Sequence, residues 1–91
     1  MRKYIIERAI PGAGKMSAGD LQQAAVKSNA VLHEMGPDVQ WQTSYVTGDK
    51  IYCVYVASDA DKVREHARRA GFPADVVSEV TAVMDPATAA R

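Results

Sequence analysis

His66 is the side chain in this sequence best suited to chemistry. It shares a helix face with Val63, Ala67 and Ala70, where a packing residue would ordinarily be Leu or Ala. An imidazole on such a face needs a partner for at least one ring nitrogen. A structural histidine bonded to a neighbouring strand or hairpin meets that need, and so does metal ligation or proton transfer. Glu7 and Glu79 fall in strand patterns expected to be neighbours and are assigned to one face, the one carrying Ile5 and Val77. Two carboxylates held close on an apolar face would raise one another's pKa and would make a hard-ligand pair for a divalent cation. The plainer arrangement pairs each with a base, Arg8 and Arg64 being the candidates. Cys53 lies in an interior strand pattern, where most thiols act as small hydrophobes. A reactive thiol needs an electropositive setting, which Lys50 or Arg8 would provide. Tyr45 and Tyr55 are the candidate contacts for an organic ligand or cofactor, with their ring faces apolar and their hydroxyls needing partners.

Several chemistries are excluded. One cysteine permits neither an intrachain disulfide nor a CxxC motif, and two histidines, His33 and His66, cannot make a His-rich metal site within one chain. A mixed site of His66, Glu7, Glu79 and Cys53, or one shared between subunits, stays open. Pro11-Gly12-Ala13-Gly14-Lys15 has glycines and a lysine but not phosphate-loop spacing: one residue separates the glycines and Met16 follows the lysine. No HExxH motif is present. Eleven basic residues balance eleven acidic ones, so no basic face is expected for nucleic acid. No apolar run approaches the roughly 20 residues of a membrane span. Met1-Arg2-Lys3-Tyr4 leads straight into a strand pattern without a signal-peptide core, so a cytoplasmic address is the expectation.

These residues must be positioned by elements that the pattern marks clearly. Arg2 to Ile10 alternates as a strand and ends at Pro11. Ser17 is an N-cap with Asp20 three places on, and Met16 and Leu21 stand at the positions of a hydrophobic staple. Leu21, Ala24, Ala25, Ser28, Leu32 and Met35 form one helical stripe that closes at Gly36-Pro37. His33 falls off that stripe and is expected at the surface.

Gln40 to Ala57 reads as a hairpin around Thr47-Gly48-Asp49 and holds the only Trp. In its first arm Trp41, Thr43 and Tyr45 alternate against Gln42 and Ser44, predicting one half-buried face. The second arm, Ile51 to Val56, is apolar on both faces, as an interior strand should be. Ser58 is the expected cap of a second helix that ends at Gly71, and Asp75 to Met84 reads as the last strand. The domain is assigned to residues 1–86, with 87–91 as a flexible tail.

The order β-α-β-β-α-β predicts an α+β ferredoxin-like sandwich, a four-stranded antiparallel sheet with both helices on one face. Crossover handedness puts the first and third strands side by side at the centre, and they are expected to run parallel. The other sheet face is left open. An exposed apolar face needs cover, and a second copy of the chain is the expected partner, giving a homodimer.

Glu7-Arg8, Trp41 with Ser44 to Thr47, Asp49-Lys50, Tyr52 to Tyr55, Arg64 to Ala67, Gly71-Phe72-Pro73, Glu79-Val80 and Asp85-Pro86 match one pattern in order and spacing. In these residues the chain resembles a small bacterial domain family that includes nickel-responsive, nickel-binding proteins first described in streptomycetes. The resemblance covers nearly the whole chain and implies a ferredoxin-like fold, a dimer and nickel as the metal. The sequence therefore leads to a small, non-enzymatic binding protein for nickel or a similar divalent ion, with His66, Glu7, Glu79 and Cys53 as candidate ligands. The alternative is a dimeric sandwich that holds a small organic molecule in an apolar pocket with Tyr45, His66 and Glu79 converging, as in monooxygenase-like enzymes of this architecture.

Overall fold

The computed structural model describes residues 1–90. Its elements are β1 (Arg2–Ala9), a 3-10 turn (Ala13–Lys15), α1 (Ala18–Met35), β2 (Val39–Val46), β3 (Lys50–Ala57), α2 (Ala60–Ala70), β4 (Val76–Glu79) and a terminal 3-10 helix (Pro86–Ala90). They form the expected ferredoxin-like α+β sandwich with sheet order β2-β3-β1-β4. β1 and β3 lie at the centre, but they pair antiparallel, with Arg2 opposite Ala57 and Ala9 opposite Lys50. The expectation of a parallel central pair is wrong for a geometric reason. β2 is the strand reached from β1 by crossover. β3 turns back from β2 through a hairpin, so it must run against both neighbours.

One face of the sheet carries Tyr4, Ile6 and Arg8 from β1 and Cys53, Tyr55 and Ala57 from β3, all buried, and both helices cover that face. α2 buries Val63, His66, Ala67 and Ala70. The helix starts fit the residues that cap them. Ser17 and Asp20 form a reciprocal capping box on α1. On α2 the cap is Asp59, whose carboxylate accepts from the Lys62 N–H, one residue beyond the Ser58 expected. Gly71 closes α2 with φ of 75°, a left-handed conformation that strains any residue with a Cβ.

β2 carries a bulge between Trp41 and Thr43. The extra residue shifts the alternation, so Trp41 and Ser44 share the covered face while Tyr45, opposite Tyr52, falls on the open one. The predicted single face of Trp41, Thr43 and Tyr45 is thereby broken. β4 is also shorter than Asp75 to Met84. After the Val80 N–H bonds to the Lys3 carbonyl, the β1 ladder has run out, because β1 begins at Arg2. The terminal 3-10 helix, Pro86–Ala90, has no buried residue and takes in residues 87–90 of the expected tail, and Arg91 lies outside the described residues. No helix among the described residues is long and apolar enough to cross a membrane.

Candidate functional site

The covered face holds a half-open pocket of about 500 Å³ between α1 and the hairpin end of the sheet. α1 contributes Leu21, Ala24, Ala25 and Ser28. The sheet contributes Arg8 and Ile10 from β1 and its continuation, Trp41, Ser44 and Val46 from β2, and Ile51, Cys53 and Tyr55 from β3. Phe72, just after α2, also lines the pocket, as do Met16, Gln42 and Thr43. This size and its mostly apolar lining with a few polar groups match a small-molecule site.

The space follows from how α1 is held. Its N-terminal approach is fixed to the hairpin turn, where the Gly14 N–H donates to the Gly48 carbonyl at 3.0 Å. A Cβ on Gly14 would lie 3.0 Å from the Thr47 carbonyl oxygen, tighter than an ordinary contact, so the approach favours glycine. At its other end Leu32 and Met35 pack on the core. Between these anchors the inward residues are small: Ala24 and Ala25 line the space, and Ser28 is buried beside His66.

Arg8 is the polar floor of the space and is 2 % exposed. Its Nε donates to Cys53 Sγ at 3.3 Å and one terminal nitrogen, Nη1, to the Pro73 carbonyl at 2.6 Å. The other, Nη2, is buried and has no acceptor among the described residues. The guanidinium carbon lies 5.6 Å from the Phe72 ring centre and 6.0 Å from that of Tyr55, within cation–π range. No ion pair joins Arg8 to a carboxylate among the described residues. Cys53 Sγ also accepts from the Ser44 hydroxyl at 3.0 Å, and that oxygen accepts from Trp41 Nε1 at 2.9 Å. Three strands thus meet in one polar string on the covered face.

His66 is buried, and its hydrogen-bond partner is on α1 rather than on a strand. Its Nε2 lies 3.1 Å from Ser28 Oγ and 3.4 Å from the Ser28 carbonyl. Nδ1 is buried without a partner among the described residues. Its ring centre is 5.2 Å from that of Tyr55. Burial, reinforced by the positive charge of Arg8, pushes the imidazole pKa down despite the Ser28 carbonyl, so the neutral ring is favoured. Burial pushes the Tyr55 hydroxyl up, opposed by hydrogen bonding to Ser28 and by the charge of Arg8.

The residues singled out from the sequence do not meet. Glu7 lies on the open face beside Lys50, 3.6 Å away. Glu79 is opposite Tyr4 in the ladder and so lies on the other face, 3.5 Å from Arg2. β1 and β4 are neighbours as expected, but their register puts Glu7 opposite Val76, which separates the two carboxylates by the thickness of the sheet. Neither pairs with Arg8 or Arg64. Tyr45 is exposed on the open face, away from His66 and Glu79, and His33 is exposed as expected. Of the candidates, Cys53 and Tyr55 line the space, and His66 stacks behind Tyr55. Arg8, considered at first only as a partner for other groups, is its central polar residue. Its signal was an arginine alternating in register with Tyr4 and Ile6.

These placements do not suit a nickel site within one chain. No group of three or more His, Cys, Asp or Glu side chains gathers among the described residues. The Cys53 sulfur is already engaged by Arg8 and Ser44, and a cation would meet the Arg8 charge beside it.

A sequence model of the family described as "Nickel responsive protein SCO4226-like" matches residues 4–80. The chain is also similar to the structure of SCO4226 from Streptomyces coelicolor A3(2), with 25 % identity, a TM-score of 0.75, and coverage of 90 % of this chain and 99 % of that one. No curated protein matches the chain.

Proposed function

The chain belongs to the SCO4226-like family of nickel responsive proteins, and on that premise we propose that it is a non-enzymatic binding protein acting in a nickel response. The match over residues 4–80 carries this reading. Direct binding of nickel or a similar divalent ion is its first form. Since one chain does not gather the donors, a second copy has to complete the ligand set, which links metal uptake to a homodimer. The open sheet face, with Ile5, Tyr45 and Val76 exposed, supports such pairing. Calorimetric titration with nickel, alongside light scattering, tests both parts. Saturable binding at micromolar nickel by a species of twice 9.8 kDa is expected. Absence of binding removes direct coordination, and a mass of 9.8 kDa at dilute concentration removes the dimer.

A second reading is favoured by the cavity of about 500 Å³ behind α1, in which a small organic molecule is held. Trp41, the only Trp, lines it and reports occupancy by fluorescence. A saturable change in Trp41 emission with apolar probes is expected. Ala24→Phe, which fills the space from the α1 side, should abolish it.

A further inference from the structure

We propose that the cavity recognises an organic carboxylate, with the acid group on Arg8 and an apolar body along Leu21, Trp41 and Ile51. This deepens the cavity reading and rests on it. The central observation is an arginine that is 2 % exposed, lines a cavity of about 500 Å³ and has no ion pair with a carboxylate among the described residues. A guanidinium stays charged throughout the working pH range, and a buried charge is costly unless it is paired. The partners on hand are neutral: a thiol group, a peptide carbonyl, two aromatic rings and the Tyr55 hydroxyl. They orient the planar fork and leave Nη2 without an acceptor.

The acidic side chains nearest in sequence or register are engaged elsewhere. Glu7 is with Lys50 on the opposite sheet face, Glu79 is with Arg2, and an Asp75 carboxylate oxygen accepts from the Ala9 N–H. No carboxylate among the described residues pairs with Arg8, and that place is assigned to a ligand. A carboxylate matches the fork geometry of a guanidinium and gives hydrogen bonds about twice as strong as neutral ones. One arginine suits a monoanion, and the apolar walls require that the anion be the head of a hydrophobic molecule rather than a free inorganic ion. Trp41 and Ser44 beside the thiol fix the walls around the head group, since Trp41 Nε1, Ser44 Oγ and Cys53 Sγ are already joined to one another.

The test titrates the full chain with decanoate, decanol and decyltrimethylammonium and reads Trp41 emission. Decanoate is expected to bind at least tenfold more tightly than decanol, and the ammonium compound more weakly than decanol. Arg8→Met keeps the apolar stem and removes the charge, so it should bring decanoate down to the affinity of decanol. Ala24→Phe should abolish binding of both while leaving Arg8 in place. Equal affinities of the parent for decanoate and decanol overturn carboxylate recognition and leave the cavity reading standing. No binding of any probe by the parent overturns both. If Arg8→Met does not fold, the ranking of the three probes on the parent decides the matter alone. Decanoate binding that survives Ala24→Phe places the site elsewhere and also overturns the inference.

Discussion

The two helices cover the same sheet face and meet it differently. α2 has 11 residues and buries four of them, Val63, His66, Ala67 and Ala70. α1 has 18 residues and buries only Ser28. Both present small side chains inward, yet the consequences are opposite. Under α2, Ala67 and Ala70 bring the helix backbone close to the sheet, and the large residues Tyr4, Ile6 and Tyr55 fill the space. α1 is held at its ends, by the hairpin turn below and by Leu32 and Met35 above, so Ala24 and Ala25 leave a gap between. Small residues close a gap when the helix is free to settle and leave one when it is propped. The α2 half is thus core, and the α1 half is a container.

Truncation should expose this difference most strongly. Ile6 is wholly buried, and Ile6→Ala should cost about 2–5 kcal/mol by denaturant unfolding, the range for a large aliphatic lost from a packed core. Leu21→Ala, on the cavity wall, removes a side chain that is only half-buried and should cost about 1 kcal/mol. Equal losses at the two positions would mean that α1 packs as tightly as α2 and would break the comparison.

The packed half should also respond to pH through His66. Its folded pKa lies below the ordinary 6.5, so the unfolded chain takes up the proton first. The stability this provides is present above pH 6.5 and is lost as pH falls below 6.5 toward the folded value. The melting temperature should therefore fall as pH is lowered from 7 through 6, and His66→Gln should flatten that segment of the profile, whatever its effect on absolute stability. The groups facing the ring are Arg8 from β1, Ser28 from α1 and Tyr55 from β3, and the substitution isolates the contribution of the imidazole. An unchanged slope in His66→Gln would assign it to another group.

Much of this architecture was legible in the sequence, because period and punctuation are local. The alternation of β1, the Ser17 cap and the glycine at residue 71 each state their element within a few residues. Register is not local. Whether Glu7 meets Glu79 depends on which residue of β4 stands opposite which residue of β1, and a shift of one position reverses the face. The bulge at Trp41/Thr43 did the same to Tyr45, since one extra residue is invisible to a period-two count. Arg8 was hidden for another reason. An arginine in a strand is usually read as a surface group, and its burial depends on Phe72, Pro73 and Cys53, which come from remote parts of the chain.

A smaller effect is expected at the end of α2. Gly71 holds φ of 75°, and its N–H approaches the Ala67 and Arg68 carbonyls. Gly71→Ala should cost about 1 kcal/mol, from the left-handed backbone. The added methyl would lie 3.3 Å from Lys27 Nζ, the mobile end of a long side chain, so crowding adds little. This position lies where α2 leads into Phe72 and Pro73, two of the residues that hold Arg8. A loss of decanoate binding in Gly71→Ala larger than its loss of stability would show that the packed half sets the geometry of the container.

The smallest expected effect is on the solvent side of α2. Glu65 lies between Arg68 and Arg69, with contacts of 2.6 and 2.7 Å, and their hydrogen bonds hold its carboxyl at about 2 instead of 4.5. The folded value is depressed, so the stability it supplies is present above pH 4.5 and is lost as pH falls through that value toward 2. The pairs are exposed, so salt should screen them, and the contribution should shrink as ionic strength rises toward 1 M. Glu65→Gln should lower stability slightly at pH 7 and reduce the acid slope below pH 4.5. The cavity half should not register the change, because Glu65 points away from it: decanoate affinity at pH 7 should be the same in Glu65→Gln as in the parent. A shift in that affinity would mean that the outer charges of α2 reach the container through Arg8, and the separation of the two halves would then fail.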